Sequence, residues 1–285
     1  MNLKKIYKKH ISKTSRNIVL FIFRLFPAIG KYSSLPVVGT SLKRMIKLDP
    51  PKLTQTYVLN LNKDVTDKAE QVILPIDMMK QVVKDSSYRA IMTNCLCRTA
   101  YECKSFPRNH GCIFIGGAAK AVVDRRMGRE ASIEEALVHI DRGAELGLVG
   151  QAMWVEVEAY IFGFKREDGV AHWLEICFCC PCCCSAFKLI RATNQMDIKS
   201  RFRSVGWKAS PDTEACIKCR NCIDACPVKA ISFIDERIVI NEQACLGCGL
   251  CAAKCKKDAI KLHLQTPLQG TIKDYFNNGG LKVNM

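Results

Sequence analysis

Eighteen cysteines gathered into three short stretches constrain this 285-residue chain more than any other feature. Four fall in residues 95–112, six in 177–184 and eight in 216–255, with none elsewhere. Disulfides explain that pattern badly. A chain that is 48% apolar can build its own core, and neighbours such as Cys182-Cys183-Cys184 have poor bridge geometry. No secretory signal is legible, because Arg24 splits the apolar part of a basic N-terminal region and no small-residue cleavage site follows. The expectation is a cytoplasmic chain whose reduced thiols ligate metal. Wholesale disorder is excluded by the apolar content. An ordinary polytopic membrane protein is excluded too, since no apolar run reaches the roughly 18 residues a spanning helix needs.

The third stretch is a repeat. It reads Cys216-x2-Cys219-x2-Cys222-x3-Cys226-Pro227, then Cys245-x2-Cys248-x2-Cys251-x3-Cys255. The second set follows the first at an offset of 29 residues, and Ala230-Ile231 recurs as Ala259-Ile260. This resembles the bacterial ferredoxin fold with two 4Fe–4S clusters. In that pattern a C-x2-C-x2-C loop wraps three corners of one cube, and the fourth cysteine ligates the other cube. The rule assigns Cys216, Cys219, Cys222 and Cys255 to one cluster, and Cys245, Cys248, Cys251 and Cys226 to the second. Lys256 stands where the family usually has proline. Zinc sites use pairs of cysteines with a long spacer, which is a different pattern.

The other ten cysteines make this more than a plain ferredoxin. Cys95-Leu-Cys97-Arg98 is followed by Cys103 and Gly111-Cys112, and Cys177-Phe-Cys179-Cys180-Pro-Cys182-Cys183-Cys184 lies downstream. Together with Leu74-Pro75, Glu134-Glu135-Ala136-Leu137 and Gly147-Leu148-Val149, the arrangement resembles an uncharacterised family of anaerobe iron–sulfur proteins. That family usually has asparagine where Phe178 stands, and it supplies an architecture without an assigned reaction. Residues i and i+2 of a strand face one side, so Cys95 would point with Cys97 and Cys177 with Cys179. If the two strands are neighbours, these four make a tetrathiolate site with Arg98 offsetting its charge. Cys103, Cys112, Cys180 and some of Cys182, Cys183 and Cys184 then remain for a second site, for redox exchange or as small buried hydrophobes.

Five segments are expected in an α+β chain. Residues 1–48 form a basic amphipathic head, which holds eleven Lys/Arg and no Asp or Glu and so supplies most of the net charge of +16. Residues 49–192 form a cysteine-rich mixed α/β domain, with a helix over 76–84, a strand over 90–97, a capped helix from Ser132 to near Gly147, and strands over 153–164 and 170–178 joined by a hairpin at 165–169. A linker over 193–215, the two-cluster domain over 216–265 and a tail over 266–285 complete the chain. The head is expected either to lie on the inner face of an anionic membrane or to pack Phe21, Leu25 and Phe26 on the body. Nucleic acid fits the head poorly, for it lacks interleaved aromatics. His110 and His172 lie near the cysteines as minor ligand or proton-carrier candidates, while His139, Trp154, Trp173 and Trp207 read as structural. Gly116-Gly117 lacks the spacing of a phosphate loop.

The function expected is single-electron relay through two 4Fe–4S clusters to or from a further cysteine-ligated centre in the N-terminal domain, with a redox protein as partner. One alternative is a redox enzyme that reduces a disulfide-like substrate. The analogy is to heterodisulfide-reductase-type domains, although Cys180-Pro181 replaces their CCG signature. The other is a ferredoxin-fused binding module with structural zinc.

Overall fold

The computed structural model describes residues 13–45, 54–61, 75–155, 158, 162–164, 166–167, 170–268 and 270–285. Two helices, α1 (Lys13–Tyr32) and α2 (Val38–Met45), form the head. Next come β1 (Gln55–Leu59), α3 (Pro75–Asp85), β2 (Arg89–Met92), α4 (Leu96–Ala100), β3 (Ile113–Ile115) and α5 (Lys120–Asp124). They are followed by β4 (Gly128–Glu130), α6 (Ile133–Glu145) and β5 (Val149–Trp154). A two-residue ladder of β6 (Arg166–Glu167) and β7 (Val170–Ala171) leads into β8 (Leu174–Cys179), α7 (Ser185–Ala192), α8 (Met196–Lys199) and β9 (Phe202–Ser204). The C-terminal part holds β10 (Trp207–Pro211), α9 (Asn221–Ala225), β11 (Ile231–Ile234), β12 (Arg237–Ile240), α10 (Leu250–Ala253), β13 (Ile260–Leu264) and α11 (Ile272–Asn278).

Seven strands make one sheet in the order β4-β2-β3-β8-β5-β1-β9, antiparallel throughout except for the parallel β1–β9 edge. Its two faces do different work because side chains alternate along each strand. On one face Phe178 of β8 meets Gly143 of α6, and Gly150 of β5 meets Met79 of α3. α6 starts at the expected capping box, in which the Ser132 hydroxyl accepts the Glu135 N–H and the Glu135 carboxylate accepts the Ser132 N–H. On the other face Glu175, Cys177 and Cys179 of β8 look toward α1 and α7.

Two stretches are more structured than their composition suggests. Residues 193–215, expected as a linker, contain α8, β9 and β10. β9 extends the large sheet and β10 pairs with β13 of the C-terminal module. Phe202, Val205, Trp207 and Ala209 are buried there, and that apolar burial outweighs the polar residues between them. The tail also packs back: Tyr275 and Phe276 of α11 lie edge-on to Tyr57 of β1, whose hydroxyl donates to the Tyr275 carbonyl at 2.6 Å. The expected strand over 153–164 and hairpin at 165–169 lie partly outside the described residues, and the described part of the hairpin is the small β6–β7 ladder. Its flanking strands are β5, which ends at Trp154, and β8, which begins at Leu174.

Candidate functional site

The repeat in residues 216–255 is a repeat of backbone shape as well as of cysteines. Lys218 and Gly247 both have positive φ, as do Arg220 and Gly249, the residues that cap α9 and α10, and Lys229 pairs in the same way with Asp258. Left-handed residues at these points turn the loop back on itself, which brings its cysteines toward one centre. One cavity of about 20 Å³ is lined by Cys216, Cys219, Cys222 and Cys255. A second of similar size is lined by Cys226, Cys245, Cys248 and Cys251. The backbone donates to sulfur at equivalent places: Ala230 N–H to Cys226 Sγ and Ala259 N–H to Cys255 Sγ, both 3.2 Å, with Lys218 N–H to Cys216 Sγ at 3.4 Å. Such donors offset the charge of thiolates, so this all-sulfur donor set fits a 4Fe–4S cube in each cavity.

Six of the other cysteines, Cys95, Cys97, Cys112, Cys177, Cys179 and Cys184, ring a single space. They line a cavity of about 80 Å³ that Phe23 and Phe26 of α1 and Leu189 of α7 help to enclose. The tightest pair is Cys112 with Cys177, Sγ to Sγ 3.1 Å, because β3 and β8 are paired and their register carries on to set these residues opposite each other. The Arg98 N–H donates to Cys95 Sγ, and the Ser185 N–H, in the first turn of α7, donates to Cys97 Sγ at 3.4 Å. Gln151 reaches Cys184 Sγ at 3.9 Å. Hydrogen bonds from the Cys112 and Cys97 thiols pull Cys95 well below the usual thiol range, with Arg98 assisting. Contact with the Cys184 and Cys95 thiols pushes Cys97 well above it.

The expected quartet of Cys95, Cys97, Cys177 and Cys179 does share this chamber, but by a different route. β2 ends at Met92 and β3 lies between it and β8, so the strands are not neighbours. Cys95 is the N-cap of α4 and Cys97 lies in its first turn, so a helix start and not a strand aims them. The intervening β3 delivers Cys112, and Cys184 enters as the N-cap of α7. Cys103, Cys180, Cys182 and Cys183 form a separate group whose four sulfurs all lie within 4.8 Å of one another. Burial pushes the Cys183 thiol up to about 12, with Cys103 and Cys182 adding to the shift.

Arg98 is 1% exposed and holds the sheet's end together, donating to the Phe178 carbonyl at 2.7 Å and to the His110 carbonyl. Burial works against its charge, but the surrounding cysteines, Cys95 foremost, outweigh that and raise its pKa. The Phe178 ring points away from the thiols and stacks edge-on to His110 and His139, so the position makes no polar contact into the chamber. His110 lies flat on His139 at 3.9 Å, and burial chiefly, then His139 and Arg98, hold its pKa down to about 3. Neither histidine lines the chamber, and His172 does not either. Two chamber residues escaped the sequence reading. Glu175 stands two positions before Cys177 on the same strand face, which alternation could have revealed, and buried Glu158 lines the same chamber. Burial, then the Glu175 charge, raises Glu158 well above the carboxylate range.

A family model described as a 4Fe-4S dicluster domain matches residues 208–256. Ferredoxin-1 of Caulobacter vibrioides is 39% identical over 51 residues, which is 17% of this chain and 45% of that protein. The ferredoxin of Rickettsia felis is 34% identical over 73 residues, covering 24% and 67%. Hydrogenase-4 component A of Escherichia coli is 30% identical over 109 residues, covering 37% and 53%. The chain therefore carries an iron–sulfur, ferredoxin-type dicluster domain at its C-terminus. Through that module it belongs to the ferredoxins, although it spans less than half the length of Ferredoxin-1.

Proposed function

We propose that the protein relays single electrons between its ferredoxin module and a further metal centre held by Cys95, Cys97, Cys112, Cys177, Cys179 and Cys184. The ring of six thiols around one cavity carries this reading. In the module, Cys216, Cys219, Cys222 and Cys255 would hold one 4Fe–4S cube and Cys226, Cys245, Cys248 and Cys251 the other. Each cube, when bound, supplies one-electron chemistry. The chain's own residues set the order of the two cavities along the relay. Cys219 is exposed, whereas Val228, Leu246, Cys248 and Leu250 around the second cavity pack in one apolar cluster with Cys179, Cys184, Phe187 and Ile190. The first cavity thus faces an outside partner and the second faces the chamber. Arg191 fastens the joint, donating to the Pro227 carbonyl at 3.0 Å and the Pro181 carbonyl at 3.2 Å.

Low-temperature electron paramagnetic resonance of the full chain, reduced stepwise without oxygen, tests the reading. A paramagnet beyond those of the two cubes should appear and should vanish in Cys177→Ala while the ferredoxin signals persist. Identical spectra for the two proteins would refute it.

Two observations favour disulfide reduction as a second reading. Six thiols exceed the four that complete a cube, and the buried Glu158–Glu175 pair can hold a proton beside them. Two electrons drawn one at a time through the module, with two protons, would cleave an S–S bond to two thiols.

The head supports a membrane contact. On α1, Ile18 and Phe21 face outward at 55% and 60% exposure, and Val37 and Val38 are exposed at the turn into α2. Exposed Arg24, Lys31 and Arg44 accompany them. Among the described residues no helix is long and apolar enough to cross a membrane, so the contact would be interfacial, on anionic lipid.

A further inference from the structure

Cys103, Cys180, Cys182 and Cys183 stand apart from the chamber, and their spacing differs in kind from that of the ferredoxin cysteines. All four sulfurs lie within 4.8 Å of one another, and Cys103 Sγ is 3.8 Å from Cys182 Sγ. A single ion with metal–sulfur bonds of about 2.3 Å sets tetrahedral thiolates roughly 3.8 Å apart. A cube holds its thiolates further apart, since each points outward from a different corner iron. Among the described residues, neither ferredoxin quartet closes to within that same limit. The local chain suits an ion as well. Cys180 and Cys183 have the C-x2-C spacing of a metal knuckle, with Cys182 turned outward beside them, while Cys103 arrives from the end of α4 through left-handed Glu102.

We propose that these four cysteines bind one thiophilic divalent ion, zinc or iron, in a closed tetrathiolate site without inorganic sulfide. Four protein ligands leave no open position, so the ion is structural, or at most an electron carrier. Its place explains its use. The site ties the end of α4, which delivers Cys95 and Cys97 to the chamber, to the β8–α7 turn, which delivers Cys179 and Cys184. Pro181 within that turn accepts the Arg191 hydrogen bond that reaches across to Pro227, next to Cys226. One ion would therefore brace both the chamber and its junction with the ferredoxin module.

The proposal is independent of the chamber reading. If the chamber holds nothing, sulfide stays at the complement of two cubes and this ion is still present. The test is zinc, iron and acid-labile sulfide analysis of the full chain and of Cys182→Ser, purified without oxygen. The variant should lose one metal ion per chain with sulfide unchanged, and the element lost identifies the ion. Unchanged metal, or metal and sulfide falling together in the proportions of a cube, would overturn the proposal. A second measurement needs no variant. Exposed Cys182 should resist alkylation by iodoacetamide until a chelator removes the ion, and equal labelling rates with and without chelator would equally overturn it.

Discussion

At the scale of single residues, Arg98 is where charge, hydrogen bonding and the thiols meet. Its guanidinium serves the Phe178 and His110 carbonyls at once, and it is the cation among the chamber cysteines. Replacing it by methionine fills the volume but leaves two buried acceptors unpaired, at roughly 1–3 kcal/mol each. Arg98→Met should therefore lower stability by about 2–6 kcal/mol in urea unfolding without oxygen. Arg98→Lys should recover little, because an ammonium lacks the fork that reaches both carbonyls. A wild-type midpoint for the methionine variant would show that the chamber does not depend on this charge. The sequence placed Arg98 beside the thiols and put Cys177 and Cys179 on one strand face, since both follow from local spacing. It could not place Cys112 opposite Cys177 or Glu158 against Glu175, because strand order and long-range packing decide those contacts.

At the scale of elements, α1 is a helix with two occupied faces. Phe23 and Phe26 help to close the chamber, Leu25 and Phe26 pack toward Ile29 and Leu189, and Arg24 and Tyr101 tie the helix to α4 and its C-cap. Ile18 and Phe21 remain outside. Of the two fates weighed for the head, packing on the body accounts for Leu25 and Phe26, while Phe21 stays available to a surface. Deleting the head would uncover the chamber, so substitution is the cleaner probe. The full chain should sediment with phosphatidylserine-containing vesicles at low salt and release in part as salt rises. Ile18→Ser with Phe21→Ser should remove the salt-resistant fraction, since burying such a side chain contributes about 1.5–3 kcal/mol. If the double variant partitions like the parent, the outer face of α1 docks on protein or nothing. Residues 1–12, with Lys4, Lys5, Lys8 and Lys9, lie outside the described residues.

Across the whole molecule, the first ferredoxin cavity opens on a basic surface of Arg220, Lys256 and Lys257, with Lys218 and Lys254 exposed nearby. Lys256 is the residue that departs from the family's proline, and its place in the cavity wall turns that departure into positive charge beside the first cavity. An anionic reductant should be steered there. Lys256→Glu with Lys257→Glu should slow reduction by dithionite at low salt, and the difference should shrink as salt screens it. Equal rates would place electron input elsewhere. The ferredoxin repeat was legible because eight cysteines in two matching sets lie within 40 residues of chain. The second cavity's alignment with the chamber was not, because Phe187, Ile190, Leu246 and Leu250 read as ordinary core residues until packing brings them together.

The central claim is that the N-terminal ring of cysteines holds a centre which the two cubes serve. Acid-labile sulfide per chain, measured on the full protein kept free of oxygen, tests it most directly, because a mononuclear tetrathiolate ion adds metal but no sulfide. If the ring holds an iron–sulfur cluster, sulfide will exceed the complement of two cubes, and Cys112→Ala with Cys177→Ala will bring it down to that complement. Sulfide equal to two cubes in the parent protein, with Cys112 and Cys177 open to alkylation after mild unfolding in chelator-free buffer, would contradict it.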